Sequence, residues 1–247
     1  MIPLHDENPR HLTPFVTWAL IAANVLVFIY QLTLGEQGLT QFYYAYAVVP
    51  SEMTGDLGAL VAGNPAPAQD YLPLLTSMFM HGGFMHLIGN MLFLHVFGDN
   101  IEDRLGHGAY LTFYLLGGLA ASLAHAYSAP ASQIPSLGAS GAIGAVLGAY
   151  IVLHPTARIT TLAVLGFFIT TFRLPAIVYL GIWFVLQAFS GLASLGSTTA
   201  AESGGVAWWA HIGGFLFGVL VGLIAKAFVP ERKPPRSRYA DRWYSNR

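Results

Sequence analysis

The chain is expected to fold as an all-α polytopic membrane protein, a bundle of six transmembrane helices. Three observations predict this. Of its 247 residues, 55% are hydrophobic and only 9% charged, against about 25% charged in an ordinary soluble domain, and the mean hydropathy is +0.56. Six stretches are apolar and long enough, or nearly so, to cross a bilayer, which takes ~20 residues. The basic residues also fall on one side of these stretches, as an even number of crossings requires.

Residues 1–13 read as a cytoplasmic N-terminal segment. It lacks a basic n-region and a small-residue cleavage site, so the first span, Pro14 to Leu34, is expected to be retained as a signal-anchor. The others are Phe84 to Phe97, Ala109 to Tyr127, Gly138 to His154, Leu174 to Leu192, and Ala207 to Val229. Apolar character before the second span continues outward through Tyr71 to Met80, interrupted by Gly82 and Gly83. A further run, Ile159 to Phe172, is too short to cross, and Arg158 and Arg173 would lie on opposite sides if it did. It is read as an interfacial or re-entrant piece. Residues 14–229 thus form the membrane domain, and residues 230–247, rich in Arg and Pro, a disordered cytoplasmic tail near lipid head groups. The loop Gly35 to Asp70 carries Phe42, Tyr43, Tyr44 and Tyr46, which suit either an interfacial aromatic belt or an embedded structural loop.

Charge sets the orientation. Arg10, Arg104, Arg158, Arg173, Lys226 and every basic residue after Pro230 fall on the terminal side, accounting for all 11 Lys and Arg. The opposite loops hold Glu36, Glu52, Asp56, Asp70 and Glu202 and no cation. The positive-inside rule then places both termini in the cytoplasm. With no Cys, the chain has no thiolate nucleophile, cysteine metal site or disulfide. No nucleotide-binding glycine loop, carboxylate-rich metal site or internal repeat is evident, so no cofactor, metal or nucleic-acid partner is expected.

Three polar clusters interrupt this apolar background: His81-Gly-Gly-Phe-Met-His86-Leu-Ile-Gly-Asn90, Gly138-Ala-Ser140-Gly141, and Ala210-His211-Ile-Gly213-Gly214. Imidazoles and carboxamides are costly in hydrocarbon, and such residues are functional by default. Spans two, four and six all run from outside to inside, and each cluster lies at the outer end of one of them, so the three share a depth. Ser140, Gly144 and Gly148 form one stripe, and His211, Gly214, Gly218 and Gly222 another. Small residues at this spacing let two membrane helices approach backbone to backbone. If the stripes face each other, Ser140 and His211 meet at the same end of the seam.

Ser140 then has the chemistry of a nucleophile and His211 that of its general base. His86 and Asn90, at i and i+4, lie on one face of span two. They can form an imidazole and amide donor pair for an oxyanion, joined by the Ser140 N–H, which begins a helix and lacks an intrahelical acceptor. No acid lies at this depth, since Asp99, Glu102 and Asp103 are at the cytoplasmic end. The set reads as a Ser–His dyad whose ring must be oriented by packing or by another hydrogen bond.

The other histidines are read as structural. His5 and His11 are placed in a solvated terminus, His107 and His154 at inner span ends, and His95 packed within span two. His81 is expected to hydrogen-bond the outer loop, and His125 is a remote candidate for supporting the site.

These residues resemble the rhomboid family of intramembrane serine proteases. The likeness lies in the ordered set His81-x4-His86-x3-Asn90, Gly98-x3-Glu102-x-Arg104-Leu105-Gly106, Gly138-x-Ser140-Gly141 and Ala210-His211-x2-Gly214-x3-Gly218. It implies a rhomboid-like six-helix core with Ser140 as nucleophile, His211 as base, and His86, Asn90 and the Ser140 N–H binding the oxyanion. It also implies cleavage in or beside transmembrane segments of membrane-protein substrates, within the lipid bilayer. Some members carry an aromatic residue four positions after the nucleophile, stacked on the imidazole; here it is Gly144. The Trp-Arg pair of the first outer loop in some members is also absent. A rhomboid-like pseudoprotease that binds transmembrane helices without cutting them is one alternative, and a small transporter another. The compact core and lack of a targeting extension favour a prokaryotic plasma membrane.

Overall fold

The computed structural model describes residues 2–165, 168–194 and 207–230; the expected basic tail lies outside the described residues. The chain opens with strand β1 (Ile2–Asp6) and enters helix α1 (Phe15–Leu32). Two helices, α2 (Glu36–Tyr46) and α3 (Pro50–Val61), fill much of the long loop. There follow a 3₁₀ turn at Ala68–Tyr71, the short α4 (Pro73–Thr76) and a second 3₁₀ turn at Ser77–Phe79. The apolar approach to span two is therefore a series of turns, not an extension of that helix. Next come α5 (Phe84–Leu105), α6 (His107–Ser128), α7 (Ser140–Leu153), β2 (Arg158–Leu165), β3 (Phe168–Pro175), α8 (Ala176–Ser194) and α9 (Trp208–Phe228).

Each of the six predicted stretches is a helix. Four of them, α1, α6, α8 and α9, are long and apolar enough to cross a membrane. α7 is apolar but has only 14 residues, and α5 gathers Asp99, Glu102, Asp103 and Arg104 in its last turns. A buried carboxylate starts the bundle. The first N–H groups of a helix have no intrahelical acceptor, and those of Val16 and Thr17 in α1 donate to the two oxygens of Glu102 at 2.9 and 2.8 Å. Glu102 also accepts from the Thr17 hydroxyl at 2.6 Å and lies 2.6 Å from His107 Nδ1. Gly106, at φ +82°, makes the reversal between α5 and α6 with a backbone most side chains cannot adopt.

α7 is the axis of the molecule, with every residue from Gly141 to Tyr150 buried. Its closest neighbour is α9, and the glycine stripes explain why. A Cβ on Gly214 would collide with the carbonyl oxygen of Gly141, and one on Gly218 with that of Ala145. One on Gly222 would lie 3.0 Å from the α-carbon of Ala149. The contacts advance together by one turn, so α7 and α9 run parallel with both N-termini at one end.

The all-α expectation needs correcting in one place. The run Ile159 to Phe172, expected as an interfacial or re-entrant piece, belongs to a hairpin of β2 and β3, antiparallel from Arg158↔Pro175 to Leu165↔Phe168. Its composition suits a sheet, since Ile159, Thr160, Thr161, Ile169, Thr170 and Thr171 are β-branched. The hairpin also returns Arg158 and Arg173 to the same end, removing the charge conflict. β1 adds an antiparallel edge strand, with Ile2↔Leu162 and Asp6↔Ile159 in register, and as an edge it tolerates Pro3.

The N-terminal segment is accordingly built in, not merely solvated. His11 donates its backbone N–H to Asp103 at 3.0 Å, with its ring 3.1 Å from the same carboxyl. Asn8 lies 3.0 Å from the His154 ring, and Arg10 pairs with Asp99 at 2.9 Å. His95 is exposed rather than packed and lines a surface recess with Asp6, Arg10 and Asp99.

Candidate functional site

The site forms at the end where α7 and α9 begin. Ser140 is the first residue of α7, and His211 lies in the first turn of α9. Their side chains meet, with His211 Nε2 2.8 Å from Ser140 Oγ. Two residues before the serine, Gly138 has φ +132° and its N–H donates to the Ser77 carbonyl at 2.9 Å. A Cβ there would lie 2.8 Å from His86 Cε1 and 3.6 Å from Ser140 Oγ. The glycine thus lets the His86 ring close over the loop that delivers the serine. A cavity of about 20 Å3, lined by Met78, Gly118, Ala121, Ser122, Gly138 and Ser140 among others, adjoins it, with room for about one water.

Asn90 is buried one turn below His86 on the same face of α5. Its Nδ2 lies 2.9 Å from His81 Nε2, which accounts for one of its two amide hydrogens. His81 is itself fixed through its backbone. Its N–H donates to Gln31 Oε1 at 3.0 Å, and its carbonyl accepts from Gln31 Nε2 at 2.9 Å and from the Tyr43 hydroxyl at 3.3 Å. The expected bond between His81 and the long loop is thus present through Tyr43, but the ring turns to Asn90, which the spacing did not suggest. His125 makes no hydrogen bond to Ser140 or His211 among the described residues.

The far side of the His211 ring was left open by the sequence. At Gly144 a Cβ would lie 2.9 Å from the His211 carbonyl oxygen and 3.4 Å from the Phe215 nitrogen. No aromatic side chain fits there, because the α9 backbone occupies the space. Support comes instead from α8. Gln187 Oε1 lies 2.7 Å from His211 Nδ1, and the Trp183 ring, one turn earlier, sits 6.0 Å away at 34°. Trp208 approaches edge-on at 6.2 Å. Sequence reasoning missed Gln187, although a carboxamide within an apolar span is the same signal that singled out Asn90.

Comparison with known proteins gives the family. The Rhomboid domain family model matches residues 68–228. Rhomboid protein 1, mitochondrial, of Saccharomyces cerevisiae is 30% identical over 177 residues, covering 70% of this chain and 47% of its own. Rhomboid protease GluP of Bacillus subtilis is 28% identical over 210 residues, covering 85% and 35%. Presenilin-associated rhomboid-like protein, mitochondrial, of Homo sapiens is 28% identical over 210 residues, covering 81% and 45%. The chain therefore spans less than half the length of each of these three relatives. A family match over residues 68–228, which takes in Ser140, His211 and the whole of α9, leaves one assignment: this is a membrane protein of the rhomboid family.

Proposed function

We propose that the protein is an intramembrane serine endopeptidase that cleaves peptide bonds within or next to transmembrane segments. The observation that carries this reading is the 2.8 Å approach of His211 Nε2 to Ser140 Oγ. As Oγ attacks the scissile carbonyl, Nε2 takes its proton, then returns it to the leaving amine. The oxyanion faces donors from His86, the free amide hydrogen of Asn90 and the Ser140 N–H at the start of α7. The small cavity beside Ser140 favours a substrate with a small side chain next to the scissile bond.

Helices α1, α5, α6, α7, α8 and α9 are the six spans in this reading. The 14 residues of α7 measure about 21 Å at 1.5 Å per residue, short of a ~30 Å hydrocarbon layer. Its N-terminus is then recessed below the membrane surface, with Ser140 at the bottom of the recess. Arg10, Arg173 and Lys226 bond to Asp99, Glu7 and the Val152 carbonyl at the opposite end of the bundle. That end is the cytoplasmic one, and a prokaryotic plasma membrane is the setting.

Gly144 is the one observation that favours the alternative, a rhomboid-like pseudoprotease that holds transmembrane helices without cutting them. The deciding experiment is fluorophosphonate labelling and reporter cleavage by purified protein, with Ser140→Ala and His211→Ala as controls. Labelling and cleavage that both variants abolish are expected. Helix binding by a wild-type protein that neither labels nor cleaves would establish the alternative.

A further inference from the structure

α8 exposes much of its surface, with Val185, Leu186 and Phe189 more than half exposed. One face nevertheless turns inward. Trp183, Gln187 and Gly191 recur every four residues, and all three meet α9. Trp183 lies beside His211 and Phe215, each at 6.0 Å between ring centroids. A Cβ on Gly191 would be 2.9 Å from Ile212 Cδ1. Gln187, between them, lies 2.7 Å from His211 Nδ1.

From this juxtaposition we infer that Gln187 is a positioning residue, holding the plane and tautomer of the His211 ring. The inference rests on the peptidase reading of the Ser140–His211 pair and deepens it. A neutral imidazole carries one N–H, and the bond at one nitrogen decides the state of the other. The amide oxygen accepts from Nδ1–H, which leaves Nε2 bare and aimed at the Ser140 hydroxyl. Without that oxygen, Nδ1–H is left beside the Trp183 and Trp208 rings, and the imidazole gains by turning or by moving its proton to Nε2. Either change removes the base. A wrong imidazole tautomer is severe in serine hydrolases generally. A neutral amide differs from a carboxylate in one respect: it orients the ring without stabilising the imidazolium.

Two substitutions separate positioning from packing. Gln187→Leu keeps the bulk and removes the acceptor; kcat should fall on the order of 10- to 100-fold with KM little changed. Gln187→Glu keeps an oxygen acceptor, so kcat should recover. Its carboxylate would stabilise the protonated ring, and the acid limb of the kcat/KM profile should move to higher pH. The other titratable groups close to His211 are His86 on α5 and His125 on α6, identical in all three proteins. The activity-independent readout is ¹⁵N NMR of histidine-labelled protein, which should find His211 protonated at Nδ1 in the wild type and redistributed in Gln187→Leu. Unchanged kcat and tautomer in a folded Gln187→Leu protein would overturn the inference. So would an unshifted acid limb in Gln187→Glu, the arm that decides if the leucine variant does not fold. A wild-type protein that fails to label with fluorophosphonate defeats the peptidase reading, and the NMR arm then still decides the role of Gln187.

Discussion

The α-carbon of Gly218 passes so near the carbonyl oxygen of Ala145 that no Cβ can stand between them. This contact lies two turns below His211 and fixes how closely α9 lies along α7. Because the obstacle is backbone, even alanine must push the helices apart. Gly218→Ala is expected to lower both thermal stability and activity, and Gly218→Leu to abolish activity, since a displacement of ~1 Å at a reacting pair can cost about 10²-fold. Stability and cleavage measured in detergent check this. Full activity in a well-folded Gly218→Leu protein would show that the seam does not set the geometry of the pair.

Asn90 and His81 should behave as a coupled unit, because Nδ2 of one lies 2.9 Å from Nε2 of the other. Asn90→Ala is expected to reduce kcat by about 10²-fold, the scale of a lost oxyanion donor. His81→Leu should cost less and act through the same amide. The double variant should then resemble Asn90→Ala alone, as shared-network residues do. Additive losses in a double-mutant cycle would separate the two residues, and a raised KM with normal kcat would recast Asn90 as a substrate-positioning group.

Glu102 is fully buried and accepts from Val16, Thr17 and His107. Glu102→Ala would strand the first N–H groups of α1 without acceptors. A loss on the order of 3 kcal/mol is expected, as for other broken buried networks. Glu102→Gln, which keeps one acceptor oxygen, should lose less. Thermal or chemical unfolding checks the order, and Ser140 labelling by the folded fraction should be unchanged.

Docking of β1 should tighten on mild acidification. Burial pushes the Asp6 carboxyl up to about 6, with Asp99 adding to the rise and the hydrogen bond from Tyr150 opposing it. A group whose folded pKa is raised binds its proton more tightly in the folded chain. Its contribution is present at low pH and is lost as pH rises through about 6. The protection of the β1 amides, their exchange rates taken relative to the unstructured chain at the same pH, should therefore rise between pH 7 and pH 5. Asp6→Asn, still able to bond Tyr150 and Asn100, should be protected at both values. A change in protection that survives in Asp6→Asn would assign it to another group, first of all Asp99, whose carboxyl burial also pushes up.

The sequence alone determined the six apolar helices and the end of the bundle at which Ser140 and His211 lie. Apolar length is dictated locally by the cost of unpaired backbone in hydrocarbon, so Pro14 to Leu34 and Ala207 to Val229 were readable without any partner. The four-residue spacing of Ser140, Gly144 and Gly148, and of Gly214, Gly218 and Gly222, announced a close seam because only small residues permit one. Tertiary structure decided what depends on partners far apart in the chain. The hairpin of β2 and β3 read as an interfacial or re-entrant piece, because a brief hydrophobic run has no unambiguous period and one partner of its sheet, β1, comes from the other end of the chain. Gln187 went unnoticed until α8 turned it to His211, and His81 looked like a loop anchor until its ring met Asn90. A side chain's residue type limits which bonds it can make, but only the packing of distant segments chooses which of them it does make.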